Sequence, residues 1–307
     1  MTSLPAPPVA PPVRTGFATA DDGTRLYWRA VGTGPAIACC NGVGVSIFFW
    51  KYLVDHYSDR HTVVMWDYRA HGRSDRPVDL DAMDMSIRRH ALDLGAVLDA
   101  VGVERALLLG HSMGCQVIFE FNRVFPARVM GLVPMLGSAG RTLETFYDFK
   151  YSPYFFRAAA RMFDRMGDRA HYVVRPLLES PLAWVFARQA ALVDPYYARQ
   201  EDMLKYMRHL ASLDMRVFLR SVLNTQEHDA WDTLPHIQVP VLVVAAERDT
   251  FTPIWLSRKI VASIPGAELL VLADATHAAL IEQPETIHHR LDRFLAERRV
   301  FSPPAPR

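Results

Sequence analysis

The sequence predicts an α/β fold, a mostly parallel sheet flanked by helices, with an all-helical insertion after the sixth strand. Three observations point to it. Short apolar runs at residues 35–40, 62–66, 106–109 and 240–246 alternate with segments of helical spacing. Strands that are apolar throughout, rather than at every second residue, are buried on both faces, as in a parallel sheet. The run 106–109 leads through Gly110-His111-Ser112-Met113-Gly114 into the helix-compatible 115–124. That order of strand, sharp turn and helix lifts a serine to the apex of a strained turn. Lastly, residues 141–233 hold no convincing strand but several helical stretches.

Taken in order, residues 15–20 and 24–31 read as an antiparallel hairpin closed by Asp21-Asp22-Gly23. A third strand over 35–40 ends in Asn41-Gly42, and a helix is expected over 46–57. The fourth strand, 62–66, is followed by Asp67-Tyr68-Arg69-Ala70-His71-Gly72-Arg73-Ser74-Asp75. Helical spacing covers 83–101; the serine turn comes next, and 129–136 is the sixth strand. Helices are expected in the insertion over 153–166, 169–179, 181–193, 196–213 and 215–224. The last strands, 240–246 and 268–272, flank a helix over 253–264, and a final helix covers 284–298. The domain plan is a proline-rich tail (1–14), a core (15–140 with 234–300), a helical cap (141–233) and a short C-terminal tail (301–307).

Composition narrows the function. A 307-residue chain, half hydrophobic, can bury its own core without staples. A net charge of +1 argues against nucleic acid as the main ligand. Three cysteines, two of them adjacent (Cys39 and Cys40), make no disulfide framework and suit a reduced, cytoplasmic protein. No apolar run reaches the roughly 18 residues of a transmembrane span, and residues 1–14 lack the apolar core of a secretory signal. Metal-ligand spacings, phosphate loops and dinucleotide fingerprints are absent from the sequence, so no cofactor is expected.

In the serine turn, Ser112 should sit at positive φ, and side chains at Gly110 and Gly114 would collide with the neighbouring strand and helix. The Met113 N–H then points at the space above the hydroxyl. Three further stretches accompany this turn: Asp67-x-Arg69-x-His71-Gly72-x-Ser74, Glu247-Arg248-Asp249-x-x-x-Pro253, and Asp274-Ala275-Thr276-His277 followed by Glu282-x-Pro284-Glu285. Over residues 15–298 the chain resembles the α/β-hydrolase fold superfamily, in the branch of esterases, lipases and cofactor-free peroxidases with a helical cap.

The resemblance implies a serine hydrolase. Ser112 needs a base, and His277, in the loop after the last strand, is best placed. His71 and His111 are nearer to motif residues, but His111 should pack sideways within the turn. His288 and His289 are expected on a solvated helix face. Asp249, directly after its strand, is the candidate orienting acid, with Glu247 and Asp274 as rivals. The order Ser112, Asp249, His277 is the one this fold uses. The resemblance places an oxyanion hole at the N–H groups of Met113 and Val43. The family usually has His-Gly after the third strand where this chain has Asn41-Gly42-Val43-Gly44. Asn41 either holds that loop through an Asx-type hydrogen bond or, with Gly42, faces the substrate. Asp67, Arg69 and His71 are expected to brace the loop behind the turn, and Cys39 and Cys40 to pack at a strand end.

In the insertion, Phe146, Tyr147, Phe149, Tyr151, Tyr154 and Phe155 make a dense aromatic stretch. Tyr154, Phe155, Ala158, Met162, Phe163 and Met166 recur at three- and four-residue spacing, so Tyr154, Phe155, Met162 and Phe163 are candidates to line the substrate pocket. The expected reaction is hydrolysis of a small-molecule carboxylic ester with an apolar acyl or alcohol part. A lactone, thioester, amide or C–C bond, or perhydrolysis, would use the same residues. A receptor-like protein that binds without turnover stands as the alternative from another class, and oligomeric state is left open.

Overall fold

In the computed structural model, eight strands form one sheet in the order β1-β2-β4-β3-β5-β6-β7-β8. The structure describes residues 10–76, 79–180, 185 and 199–302. β1 (Val13–Thr19) and β2 (Arg25–Val31) pair antiparallel, and β2 runs antiparallel to β4 (Thr62–Trp66). β3 (Ala36–Cys40), β5 (Ala106–His111), β6 (Val129–Met135), β7 (Leu242–Ala246) and β8 (Glu268–Leu272) continue the sheet in parallel with β4. β1 starts earlier than expected: Val13 and Arg14, assigned to the tail, pair with Val31 and Ala30.

Every residue of β3, β4, β5 and β7 is buried. In β5, Leu108 packs into the core on one face of the sheet, while Leu107 and Leu109 pack into the core on the other. Two buried faces remove any reason for alternation, and the sequence shows none.

The flanking helices are α1 (Lys51–Tyr57), α2 (Ile87–Val101) and α3 (Met113–Val124). Three more follow the insertion: α8 (Ile254–Ser263), the short α9 (Ala279–Glu282) and α10 (Pro284–Glu297). α2 begins later than its apolar spacing suggests. The Asp84 carboxylate accepts the Ser86 N–H at 2.8 Å in a local turn, and the Ser86 hydroxyl then caps the helix by accepting the Arg89 N–H at 3.1 Å. The helix expected over 46–57 is split into a 3₁₀ turn, Ile47–Trp50, and α1. His288 on α10 is buried against His56 and Tyr57 rather than solvated, and burial lowers its pKa to about 4; His289 is exposed as expected.

Between β6 and β7 lie α4 (Ser152–Met166), α5 (Arg169–Glu179), α6 (Gln200–Ser212) and α7 (Met215–Glu227). The helix expected over 181–193, Val185 apart, and the start of the one expected from 196 lie outside the described residues. The insertion leaves and rejoins the core through a narrow neck. Gly140 bridges Asp229, the Ala230 N–H donates to the Ala139 carbonyl at 2.9 Å, and the Arg141 N–H donates to the His228 carbonyl at 3.3 Å. Asp202 at the start of α6 adds a second tie, accepting from Lys51 Nζ at 2.5 Å and from the Tyr52 hydroxyl at 2.7 Å. Among the described residues no helix is long and apolar enough to cross a membrane.

Candidate active site

Ser112 follows β5 at φ 54° and ψ −117°, outside the helical and extended regions. Two glycines permit that turn. A Cβ on Gly110 would lie 2.3 Å from the Gly114 carbonyl oxygen, and one on Gly114 would lie 2.2 Å from that of Cys40. Neither contact is possible, so both positions are closed to any side chain. The reward is an exposed reach for the Ser112 hydroxyl above the carboxyl ends of the parallel strands, where open α/β sheets place their ligands.

Two loops bring partners to that hydroxyl. His277, after β8, sets Nε2 3.0 Å from Ser112 Oγ, and its Nδ1 lies 2.9 Å from Asp249 Oδ2. Asp249, after β7, is buried. Its Oδ1 accepts the backbone N–H groups of Phe251 (2.8 Å) and Thr252 (2.9 Å), and its Oδ2 accepts the Thr252 hydroxyl at 2.8 Å. Burial alone would raise the Asp249 pKa, but the His277 ring and the Thr252 donors outweigh it and hold the carboxyl below its usual value. An ionised acceptor at Oδ2 assigns the proton to Nδ1, which leaves Nε2 as the acceptor facing Ser112. The rivals Glu247 and Asp274 are both exposed.

The loop that carries His277 is itself held. The Glu282 carboxylate, buried, accepts the Thr276 N–H at 2.8 Å and the Thr276 hydroxyl at 2.6 Å. His111 packs sideways, as expected, but with a task the sequence did not reveal. Its Nε2 donates to the His277 carbonyl at 3.1 Å, and its ring packs tilted against Phe49, centroids 4.9 Å apart. Burial, with the His277 ring beside it, lowers its pKa to about 3, so it stays neutral.

The register that sets Cys40 opposite Gly110 brings the loop after β3 beside Ser112. A Cβ on Gly42 would sit 3.0 Å from His111 Nδ1 and 3.1 Å from Ser112 Cβ, so Gly42 is small for reasons of approach. Asn41 does not face the substrate side; this is a correction. It is buried, donates from Nδ2 to the Trp66 carbonyl (2.8 Å) and accepts at Oδ1 from Trp50 Nε1 (2.7 Å), while its carbonyl accepts the Tyr68 hydroxyl (2.9 Å). The bonds reach β4 and the 3₁₀ turn rather than closing an Asx turn. Trp50 and Tyr68 could not be picked out beforehand, because the contacts are long in sequence. Met113, at the first turn of α3, has an N–H with no intrahelical partner by helix geometry.

Asp67, Arg69 and His71 brace the loops, with His71 tied to Arg69 and Asp67 bonded to other partners. Asp67 accepts the Ser46 hydroxyl at 2.5 Å and the Arg73 N–H at 3.1 Å. Arg69 pairs with Asp93 through Nε (2.5 Å) and Nη2 (2.8 Å) and also with Asp22, and His71 Nδ1 lies 2.8 Å from the Arg69 carbonyl. Cys39 and Cys40 are buried in the sheet, where desolvation pushes both thiols up.

A cavity of about 670 Å³ opens over Ser112 and His277. Its walls are apolar: Phe49 and Val43 from the core, Phe146, Phe156, Met203 and Phe218 from the insertion. The pocket residues named from sequence are therefore corrected. Tyr154 and Phe155 are 68% and 65% exposed, Met162 is exposed as well, and Phe163 is half-buried on the Phe156 face without reaching the cavity. α4 carries apolar side chains on two faces, and the spacing singled out the outer one. Among the described residues no group of three His, Cys, Asp or Glu side chains could hold a metal ion.

Comparison with known proteins agrees with this architecture. A family model for the α/β hydrolase fold matches residues 35–284. The chain is 27% identical over 272 residues to an Azorhizobium caulinodans protein named "Putative carbamate hydrolase RutD", covering 89% of this chain and 95% of that one. A hydrolase from Pseudomonas aeruginosa superposes with a TM-score of 0.74 at 24% identity, over 92% of this chain and 98% of that one. An esterase from Thermogutta terrifontis superposes with a TM-score of 0.73 at 22% identity, with the same coverage. With its sheet order, serine turn and match over most of its length, the chain belongs to the α/β-hydrolase fold family.

Proposed function

We propose that this protein is a serine hydrolase that cleaves a carboxylic ester with an apolar acyl or alcohol part through an acyl-enzyme. One observation carries the reading: the unbroken hydrogen-bond chain Ser112–His277–Asp249 opens onto an apolar cavity. Ser112 Oγ attacks the ester carbonyl carbon as His277 Nε2 takes its proton. The same proton passes to the departing alkoxide, and water, deprotonated by His277, releases the acid. Asp249 keeps the proton on Nδ1 and stabilises the imidazolium. The Met113 and Val43 N–H groups receive the oxyanion charge, with Asn41 holding the Val43 loop from behind.

The name borne by the sequence relatives raises carbamates as a second substrate class, and the apolar walls favour carbamates that carry an apolar group. A panel of p-nitrophenyl esters, lactones, thioesters, amides and N-alkyl carbamates separates these readings. Esters are expected to lead, a fluorophosphonate to label Ser112, and Ser112→Ala to lose on the order of 10⁴-fold or more in kcat. Labelling without turnover of any member would point instead to a receptor-like binder.

A further inference from the structure

Polar groups around the cavity are few, and most are engaged. The Thr142 hydroxyl donates to Thr225 Oγ1 at 2.6 Å, Thr225 donates to the Val222 carbonyl at 2.7 Å, and the Thr252 hydroxyl goes to Asp249. His111 Nδ1 lacks a partner but is sealed from solvent space. Tyr206 is different. It lies on α6, one turn from Met203 and one from Leu210, and lines the same cavity as Ser112. Among the described residues no group hydrogen-bonds to its hydroxyl, which keeps contact with open cavity space. Desolvation pushes its pKa up to about 12, so the phenol remains an O–H donor.

Two other tyrosines near the site are paired, Tyr52 with Asp202 and Tyr68 with the Asn41 carbonyl. Tyr206 is half-buried, and its hydroxyl is a donor on a stretch of α6 whose other cavity residues, Met203, Met207 and Leu210, are apolar. A ligand that fills the cavity takes water away from that hydroxyl, and a donor then left unpaired costs affinity. The hydroxyl makes sense once a ligand supplies the acceptor.

We infer that the Tyr206 hydroxyl is the polar anchor of the substrate cavity, donating to an oxygen acceptor carried on the substrate's otherwise apolar arm. The substrate class narrows from alkyl esters to esters whose arm is interrupted by one ether, ketone or second ester oxygen. For the reaction, this rests on the serine-hydrolase reading; for binding, it stands on the cavity alone. A site built around one donor discriminates against the analogue that lacks the acceptor, because the donor is then left unpaired.

The test separates binding from turnover. Methyl esters of medium-chain acids, with a single ether oxygen moved stepwise along the chain, are titrated into Ser112→Ala and into Ser112→Ala/Tyr206→Phe. The all-carbon ester serves as reference. With Tyr206 present, one oxygen position is expected to bind threefold to tenfold more tightly, relative to the reference, than in the phenylalanine variant, the span of about one net hydrogen bond. The all-carbon ester should bind the variant as well or better. The same arms on p-nitrophenyl esters should show that preference in kcat/KM of the Ser112 enzyme. A preference that survives Tyr206→Phe, or a series in which no position stands out, overturns the anchor. Binding preference without turnover of any ester overturns the hydrolase reading and leaves the anchor standing.

Discussion

The core side and the insertion side of the cavity are built on different principles. On the core side, Ser112, His277 and Asp249 come from three loops at strand ends, and each is fixed by bonds or by backbone that permits no alternative. On the insertion side, Phe156, Met203 and Phe218 meet the cavity through packing alone, and the outer face of α4 leaves Tyr154 and Phe155 in solvent. Hydrogen bonds have direction and length, so the core side tolerates little change. Apolar packing is nondirectional, so the insertion can be altered in size and shape with chemistry intact. Catalysis should therefore break at the core side, and selectivity should drift at the other.

The sharpest contrast comes from Asp249. Asp249→Asn should lower kcat on the order of 10²–10⁴-fold by losing control of the His277 tautomer, while exposed Glu247→Gln should leave kcat within about twofold. Steady-state kinetics on one p-nitrophenyl ester decide this, and equal effects would erase the assignment of the acid. Next is Asn41→Ala. It strips two side-chain bonds from Trp50 and Trp66, so both thermal stability and kcat should fall, kcat on the order of 10²-fold as a displaced oxyanion donor, with KM nearly unchanged. A large rise in KM at constant kcat would mean that Asn41 meets substrate after all.

On the other side, Phe156→Ala should shift the preferred acyl chain to longer members, since each buried methylene adds about 0.8 kcal/mol. Phe155→Ala, on the solvent face, should leave the chain-length profile where it was. Superimposed profiles for both would remove Phe156 from the pocket.

The smallest effect concerns stability against pH. Burial, the first cause at each, lowers His71 and His288 to about 4 and His111 to about 3, against about 6.5 in an unfolded chain. Between those values the unfolded state binds protons that the native state does not. Stability should thus be full above pH 6.5 and decline as pH falls toward 4. His288→Gln should make the decline of the urea midpoint between pH 7 and 4.5 shallower, and an unchanged slope would count against a neutral buried His288.

The same contrast explains what could be read from the sequence. The strands were legible because both faces of β3, β4, β5 and β7 are buried and their residues say so. Ser112, His277 and Asp249 were legible because each follows directly on a strand end. The α4 face was not, because Phe155 and Phe156 are neighbours and two apolar stripes run along one helix. Only the packing of α4 on α7 and on Phe146 decides which faces inward. Tyr206 and Met203 gave no signal, since a Met and a Tyr on a charged helix look like ordinary surface. The struts Trp50–Asn41 and His111–His277 escaped notice because they join residues by distance in space, with no pattern along the chain.

The neck of the insertion bears on how the molecule assembles. β6 must find β7, its neighbour in the sheet, with the whole insertion strung between Met135 and Val244. Left open, so long a loop is slow to close. Once Ala139 and Ala230 are bonded, the insertion is tied off at its base, and only the short segments on either side of the neck separate the two strands. Closing a loop costs less as it shortens, so the cheap route is neck first and β6–β7 pairing second. Pulse-labelled hydrogen exchange should find the Ala230 amide protected during refolding before the amides of β7. The reverse order would mean that the sheet zips independently of the helices it carries.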